Sequence, residues 1–79
     1  MNKRQILPTI KLVTNILKII KKQSVVKTEM VELTKNNHTS ITNHIRWLER
    51  KKMIKSVIKG NKIKFEITDF GKDFLKILS

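Results

Sequence analysis

Apolar residues recur along the first third of the chain with the period of a helix. Ile10, Val13, Leu17 and Ile20 form one stripe, and Leu12, Ile16 and Ile19 widen it, so a helix is expected from about Pro8 to Lys22. Pro8 suits the first turn, where its missing N–H has no partner to lose. The stripe covers about half of the helix circumference, whereas a helix seating itself on one small core needs only about 100°. The surplus on the Leu12, Ile16 and Ile19 side is expected to meet a second copy of the chain, with deeper burial by the chain's own C-terminus as the alternative.

Ser24 to Val26 is β-branched enough for a minimal strand. Thr28 is placed to cap a second helix, with Glu29 near its positive end and Met30, Val31 and Leu33 as its apolar side. That helix stops at Lys35-Asn36-Asn37, where the Asn pair is expected to take the left-handed angles of a sharp turn. Thr39 or Ser40 then caps a third helix. Its wheel puts Ile41, Ile45 and Leu48 on one face with His44 at the margin, and Thr39, Asn43, Arg46 and Arg50 opposite, with Trp47 on the shoulder. Two short helices joined by such a turn make a helix-turn-helix unit, here residues 27–53.

After Ile54 the period changes to two. Ile63, Phe65 and Ile67 alternate with Lys62, Lys64 and Glu66, and Gly60-Asn61 is a turn signal before them. Pairing Lys59 with Lys62 sets Ile58 opposite Ile63, Ser56 opposite Phe65 and Ile54 opposite Ile67, with Val57 facing Lys64 and Lys55 facing Glu66 as an opposite-charge pair. Residues 54–68 therefore read as a hairpin with an apolar face and a lysine-rich tip. Thr68 and Asp69 can cap a last helix, Phe70 to about Leu78, whose broad apolar face (Phe70, Phe74, Leu75, Ile77, Leu78) is expected to lie on the first helix and to share a dimer interface with it.

Charge changes what this pattern is for. Lys plus Arg number 18 against 6 Asp plus Glu, a formal charge of +12 over 79 residues, which suits a polyanion such as nucleic acid or an anionic membrane surface. A lysine-rich proteome gives the same excess, and the absence of Ala and Tyr beside many Ile, Lys and Asn fits an AT-rich coding sequence. The length allows one domain with a small core, with residues 1–6 as a frayed basic lead. No apolar run approaches the roughly 18–20 residues of a membrane span and no signal peptide is recognisable, so no membrane partner is expected and a cytoplasmic, nucleoid-associated location is. There is no cysteine, and His38 and His44 share no helix face with a carboxylate cluster, so neither a metal nor another cofactor is expected. Six scattered acids and two unpaired histidines offer no nucleophile–base constellation, so an enzyme is not expected. Against that background the third helix stands out. A solvated face usually carries Lys and Glu, whereas this one carries Asn and Arg, able to make paired hydrogen bonds to adenine and guanine edges.

The order helix, short strand, helix, turn, helix, hairpin, helix is an α+β, mostly α, winged helix-turn-helix arrangement. Three stretches resemble the ArsR/MarR-type winged-helix regulators of bacteria and archaea. Thr39-Ser40-Ile41-Thr42-Asn43-His44-Ile45 is similar to the polar start of their recognition helix, and Leu48-Glu49-Arg50-Lys51-Lys52-Met53-Ile54 to their Leu-x-x-x-Gly-Leu-Ile exit into the wing. Ile67 to Leu75 resembles the LT-x-x-G-x-x-F-L ending of small archaeal winged-helix proteins. The likeness covers roughly Val25 to Leu78, with Lys52 where the family usually has glycine. The metal-sensing cysteines of the ArsR type are absent, so metal sensing is not carried over.

The resemblance implies a sequence-specific regulator of transcription that binds double-stranded DNA as a homodimer. The recognition helix, 39–52, would enter the major groove, and the basic wing, 55–64, would follow the backbone or minor groove. Within that frame Asn43 and Arg46 suit base edges; Thr39, Ser40 and Thr42 suit phosphate or near-groove contacts; Arg50, Lys35, Lys59, Lys62 and Lys64 suit phosphate. Each has a plainer role open to it: solubility for the wing lysines, capping for Thr39 and Ser40, the core edge for His44, and packing for Trp47. The dimer seam would use Leu12, Ile16 and Ile19 with Phe74, Ile77 and Leu78. The competing functions are an architectural, nucleoid-type DNA binder with little base readout and a winged helix turned to protein or RNA interaction.

Overall fold

The computed structural model describes residues 8–78, so the expected frayed lead at 1–6 lies outside the described residues. Helix α1 spans Ile10–Lys22, α2 Lys27–Thr34 and α3 His38–Arg50; strands β1 (Ile54–Lys59) and β2 (Lys62–Ile67) follow, and α4 spans Asp69–Leu78. Helix α1 is the scaffold and packs on α2, α3, α4 and β2. Its Leu12, Val13, Ile16, Leu17 and Ile20 are all buried, together with Val25, Met30, Ile41, Ile45, Leu48, Met53, Ile54, Phe65 and Leu75 in a single core.

This burial decides the fate of the wide apolar arc on α1. Leu12 is 6% exposed and Ile16 0%, and Ile19 packs partly against the same core. The chain's own elements, with α4 lying on α1, take up most of what was expected to face a second copy. Leu12 and Ile16 have almost no surface left to offer a partner.

Three helix starts differ from expectation. Pro8 precedes the N-cap of α1 rather than filling its first turn, because Thr9 caps the helix with a side-chain oxygen that accepts from the Leu12 N–H (3.4 Å). Helix α2 begins at Lys27, so Thr28 is already inside it. There Glu29 reaches back to accept from the Val26 N–H (3.0 Å), half of a capping box made without a capping hydroxyl. Helix α3 is capped by Asn37, whose Oδ1 accepts from the Ser40 N–H at 2.7 Å, so Thr39 and Ser40 lie in its first turn instead of capping it. Only at α3 does a residue upstream of the expected caps take the orphan donor first.

The turn between α2 and α3 is also made differently. Lys35, at φ 57° and ψ 34°, takes the left-handed conformation expected of the Asn pair. Asn36 instead donates its Nδ2 to the Thr34 carbonyl (3.0 Å), and Asn37 caps. The exit from α3 shows why the resembling family has glycine at position 52. Lys52 has φ 63°, with its N–H donating to the Glu49 carbonyl and the Met53 N–H to the Leu48 carbonyl, both at 3.0 Å. These two bonds make a complete Schellman motif with a lysine in the glycine position.

The β1–β2 hairpin has the expected register, from Ile54 opposite Ile67 to Lys59 opposite Lys62. Gly60 takes φ 64° in its turn. The expected short strand is a single antiparallel bridge, in which Val25 pairs with Phe65 and its carbonyl accepts the Phe65 N–H at 2.8 Å. Thr68 locks the hairpin's end to the helix that follows. Its Oγ1 donates to the Lys52 carbonyl (2.7 Å) and accepts from the Gly71 N–H (3.0 Å), and its own N–H donates to Met53 (2.9 Å). Among the described residues no helix is long and apolar enough to cross a membrane.

Candidate nucleic-acid interface

Helix α3 buries Ile41, His44, Ile45 and Leu48 against the core. Thr39, Arg46 and Arg50 are exposed and Asn43 is half-buried, so the four polar residues expected on one face do share a surface. His44 sits at the core edge. Its Nε2 accepts from the Thr9 N–H (3.2 Å), which leaves Nδ1 to donate to the Ser40 carbonyl (2.7 Å) and ties the start of α1 to α3. It therefore belongs to the scaffold. Trp47 is also structural: it packs partly against the core, with Lys51 Nζ 5.8 Å from its ring centroid.

The flank of α3 nearest the hairpin forms one wall of a cleft of about 270 Å³, lined by Lys27, Thr42, Ile45, Arg46, Glu49, Ile63 and Phe65. Thr42 Oγ1 is buried here and has no hydrogen-bond partner among the described residues. Ser40 lies on the other shoulder, its carbonyl engaged by His44. Lys35 is exposed before the Asn37 cap. The cleft thus brings together Arg46, Thr42 and Lys27, an ammonium that sequence reasoning missed because the second helix was expected to begin two residues later, after a Thr28 cap.

The hairpin lysines are arranged less simply than expected. Residues 63 and 65 line the α3 cleft, so by alternation Lys62 and Lys64 belong to the other face of the ribbon. Glu66 lies opposite Lys55 in the register as expected, and Lys59 Nζ meets it as well, at 3.5 Å. The contact is largely solvated and contributes little to stability. Beside α3 the hairpin instead presents Ile63, 57% exposed, and its cross-strand neighbour Ile58, 79% exposed. The expected apolar face is buried only at its base, through Ile54 and Phe65. Strand length was the available signal: six residues per strand outrun a core this small.

A second concavity, about 630 Å³, lies between the C-terminal halves of α1 and α4 and is lined by Lys18, Lys21, Lys22, Leu75 and Lys76. It contains no acidic lining residue. Ile77, at 79% exposure, is the apolar residue of α4 left open to solvent, with Phe70 at 53%; Phe74 and Leu78 pack partly on the core.

Helix, helix-turn-helix, protruding two-stranded hairpin and closing helix together define the architecture. The fold is a winged helix. Its wing is the β1–β2 hairpin, and α3 holds the recognition-helix position. The winged-helix chain is similar to the solved structure of the adhesin competence repressor AdcR from Streptococcus pyogenes, with a TM-score of 0.81 at 18% identity over 96% of this chain and 57% of that one. It is similar to a mutant of ZitR from Lactococcus lactis (TM-score 0.81, 18% identity, 98% of this chain and 54% of that one). The transcriptional regulator BldR from Sulfolobus solfataricus aligns with a TM-score of 0.81 at 20% identity, over 86% of this chain and 51% of BldR. The chain spans little more than half the length of these three proteins. At such identities the likeness is one of fold. No protein-family model matches the sequence, and no curated protein does.

Proposed function

We propose that this winged helix binds double-stranded DNA with sequence specificity and regulates transcription. The observation that carries the reading is the outer face of α3, where Thr39, Asn43, Arg46 and Arg50 lie together while the opposite face is buried. Asn43 and Arg46 are assigned to base edges in the major groove, and Arg50 and Lys35 to phosphate. Thr39 and Ser40 are relieved of capping by Asn37, which leaves the Thr39 hydroxyl at the open end of the helix for backbone contact. Thr42 lines the cleft with Arg46 and Lys27, and its Oγ1, buried and without a partner, reaches a phosphate oxygen by turning outward about its χ1. Lys59, Lys62 and Lys64 remain phosphate contacts from the wing, the first through an ammonium shared with Glu66.

A homodimer through the first and last helices would set two copies of α3 on half-sites about 34–36 Å apart. Ile77, Phe74, Leu78 and Ile19 keep surface for such a seam, which cannot extend onto Leu12 and Ile16. It also has to avoid the four lysines around Leu75, since a two-fold copy placed there would bring like charges together.

That same lysine concavity favours a second reading, an architectural binder that holds duplex backbone with little base readout. Selection of bound fragments from random duplex DNA separates the two. A regulator returns a pseudo-palindromic motif; recovery without any motif means the architectural reading is correct.

A further inference from the structure

We propose that the tip of the wing is an apolar wedge for the DNA minor groove, in which Ile58 and Ile63 enter the duplex beside the tract covered by α3 and open a base step. The proposal rests on the duplex-binding reading and adds to it a deformation of the DNA that lysine contacts do not require.

The two isoleucines are cross-strand partners, 79% and 57% exposed, so they form one continuous apolar patch. Neither side chain is buried by the rest of the domain, although Ile63 borders the α3 cleft. Toward the turn, Phe65 is the last buried residue of the ribbon, 8% exposed and bridged to Val25. From Phe65 to the turn the ribbon runs on for about 10 Å at roughly 3.3 Å per residue, comparable with the ~7.5 Å depth of a minor groove. A hairpin tip that only needed to stay soluble would carry polar residues at both positions.

Location and charge identify the occupant. Ile63 lines the cleft with Arg46 and Thr42, so the patch lies on the side of the molecule where α3 presents its outer face. The next pair outward is Lys59 opposite Lys62, followed by the Gly60-Asn61 turn. By alternation the side chains of Lys59 and Lys62 lie on the opposite face of the ribbon, so the tip is apolar on the side toward α3 and cationic on the other. A minor groove is its complement, with phosphates along both walls and sugar and base surface within. A second copy of the wing is a poorer one, because pairing the two tips would crowd the lysines that each carries, Lys59, Lys62 and Lys64. Isoleucine is among the side chains that open base steps from this groove, and its branched Cβ leaves little rotamer freedom to lose. Pyrimidine–purine steps such as TA unstack most readily, so the wedge should favour them.

The test uses the full chain and an AT-rich duplex carrying 2-aminopurine at its TA steps, saturated with protein at low salt. The wedge predicts a rise in 2-aminopurine fluorescence and a shortened end-to-end distance between dyes on the duplex ends. The double variant I58S/I63S, altered only at exposed positions, should remain folded by thermal unfolding and saturate the duplex at higher protein concentration than wild type, while losing both signals. Equal signals from variant and wild type, or none from saturated wild type, overturn the wedge and leave duplex binding standing. Failure of wild type to bind the duplex at all overturns both. Loss of a wild-type dimer in the variant, seen by sedimentation without DNA, assigns the patch to self-association and also overturns the wedge.

Discussion

Two lysines, Lys35 at φ 57° and Lys52 at φ 63°, hold backbone angles that glycine adopts without strain. At Lys52 the surrounding bonds over-determine the geometry: two Schellman bonds close the end of α3, and Thr68 holds the Lys52 carbonyl. Left-handed angles cost a residue with a Cβ about 1–2 kcal/mol. Glycine at this site carries an unfolded-state entropy cost of about 0.5–1 kcal/mol. Lys52→Gly should therefore raise stability slightly, by up to about 1 kcal/mol, or a few degrees in thermal midpoint. Gly71 presents the opposite case. A Cβ there would collide with the Met53 carbonyl oxygen and stand 2.8 Å from Ile67 Cγ1. Overpacking costs about 1–3 kcal/mol, and the helix propensity of alanine recovers at most about 1. Thermal unfolding should show Gly71→Ala destabilised; a midpoint at or above wild type would mean that α4 does not approach Met53 this closely. The glycine was visible in the sequence as part of a motif, but its reason is a contact between residues 18 apart in the chain, which no local pattern contains.

The elements differ in how plainly the sequence announces them. The hairpin was legible pair by pair because a period of two, a Gly-Asn turn and one favourable register all agreed. Helix starts were less legible, since Asn37, Thr39 and Ser40 all qualify as caps on residue type and only backbone geometry chooses among them. The choice matters for α3, because a capping hydroxyl is spent on the helix and a free one is open to ligand. Asn37→Ala should lower stability by about 0.5–2 kcal/mol. Thr39→Ala should leave stability within about 0.5 kcal/mol and weaken duplex binding. Chemical denaturation of the two variants side by side checks this, and a larger loss from Thr39→Ala would return the cap to that residue. The polar face of α3 was legible from its wheel alone, whereas the exposure of Ile58 and Ile63 was not. Alternation states which face a residue occupies, but it does not state how far the core beneath extends.

At the scale of the whole molecule, one small core with α1 at its centre carries two different surfaces. One combines the outer face of α3, the Thr42 cleft and the wing; the other holds the lysine concavity of α1 and α4. The breadth of the α1 stripe suggested a partner, yet α4 and the rest of the chain cover most of it, and period analysis cannot tell an internal partner from an external one. What remains for self-association centres on Ile77. If the seam uses α4, Ile77→Asp should convert a dimer to a monomer by sedimentation, and identical masses for both proteins would remove α4 from it. The central claim concerns α3, and one comparison addresses it directly: the affinity of wild type and Arg46→Ala for a duplex recovered by selection and for a scrambled duplex of equal length and composition. Arg46 reading a base edge predicts a loss of about 1–3 kcal/mol on the selected duplex and little on the scrambled one. An equal loss on both would make Arg46 a phosphate contact, and no loss on either would contradict the placement of α3 in the major groove.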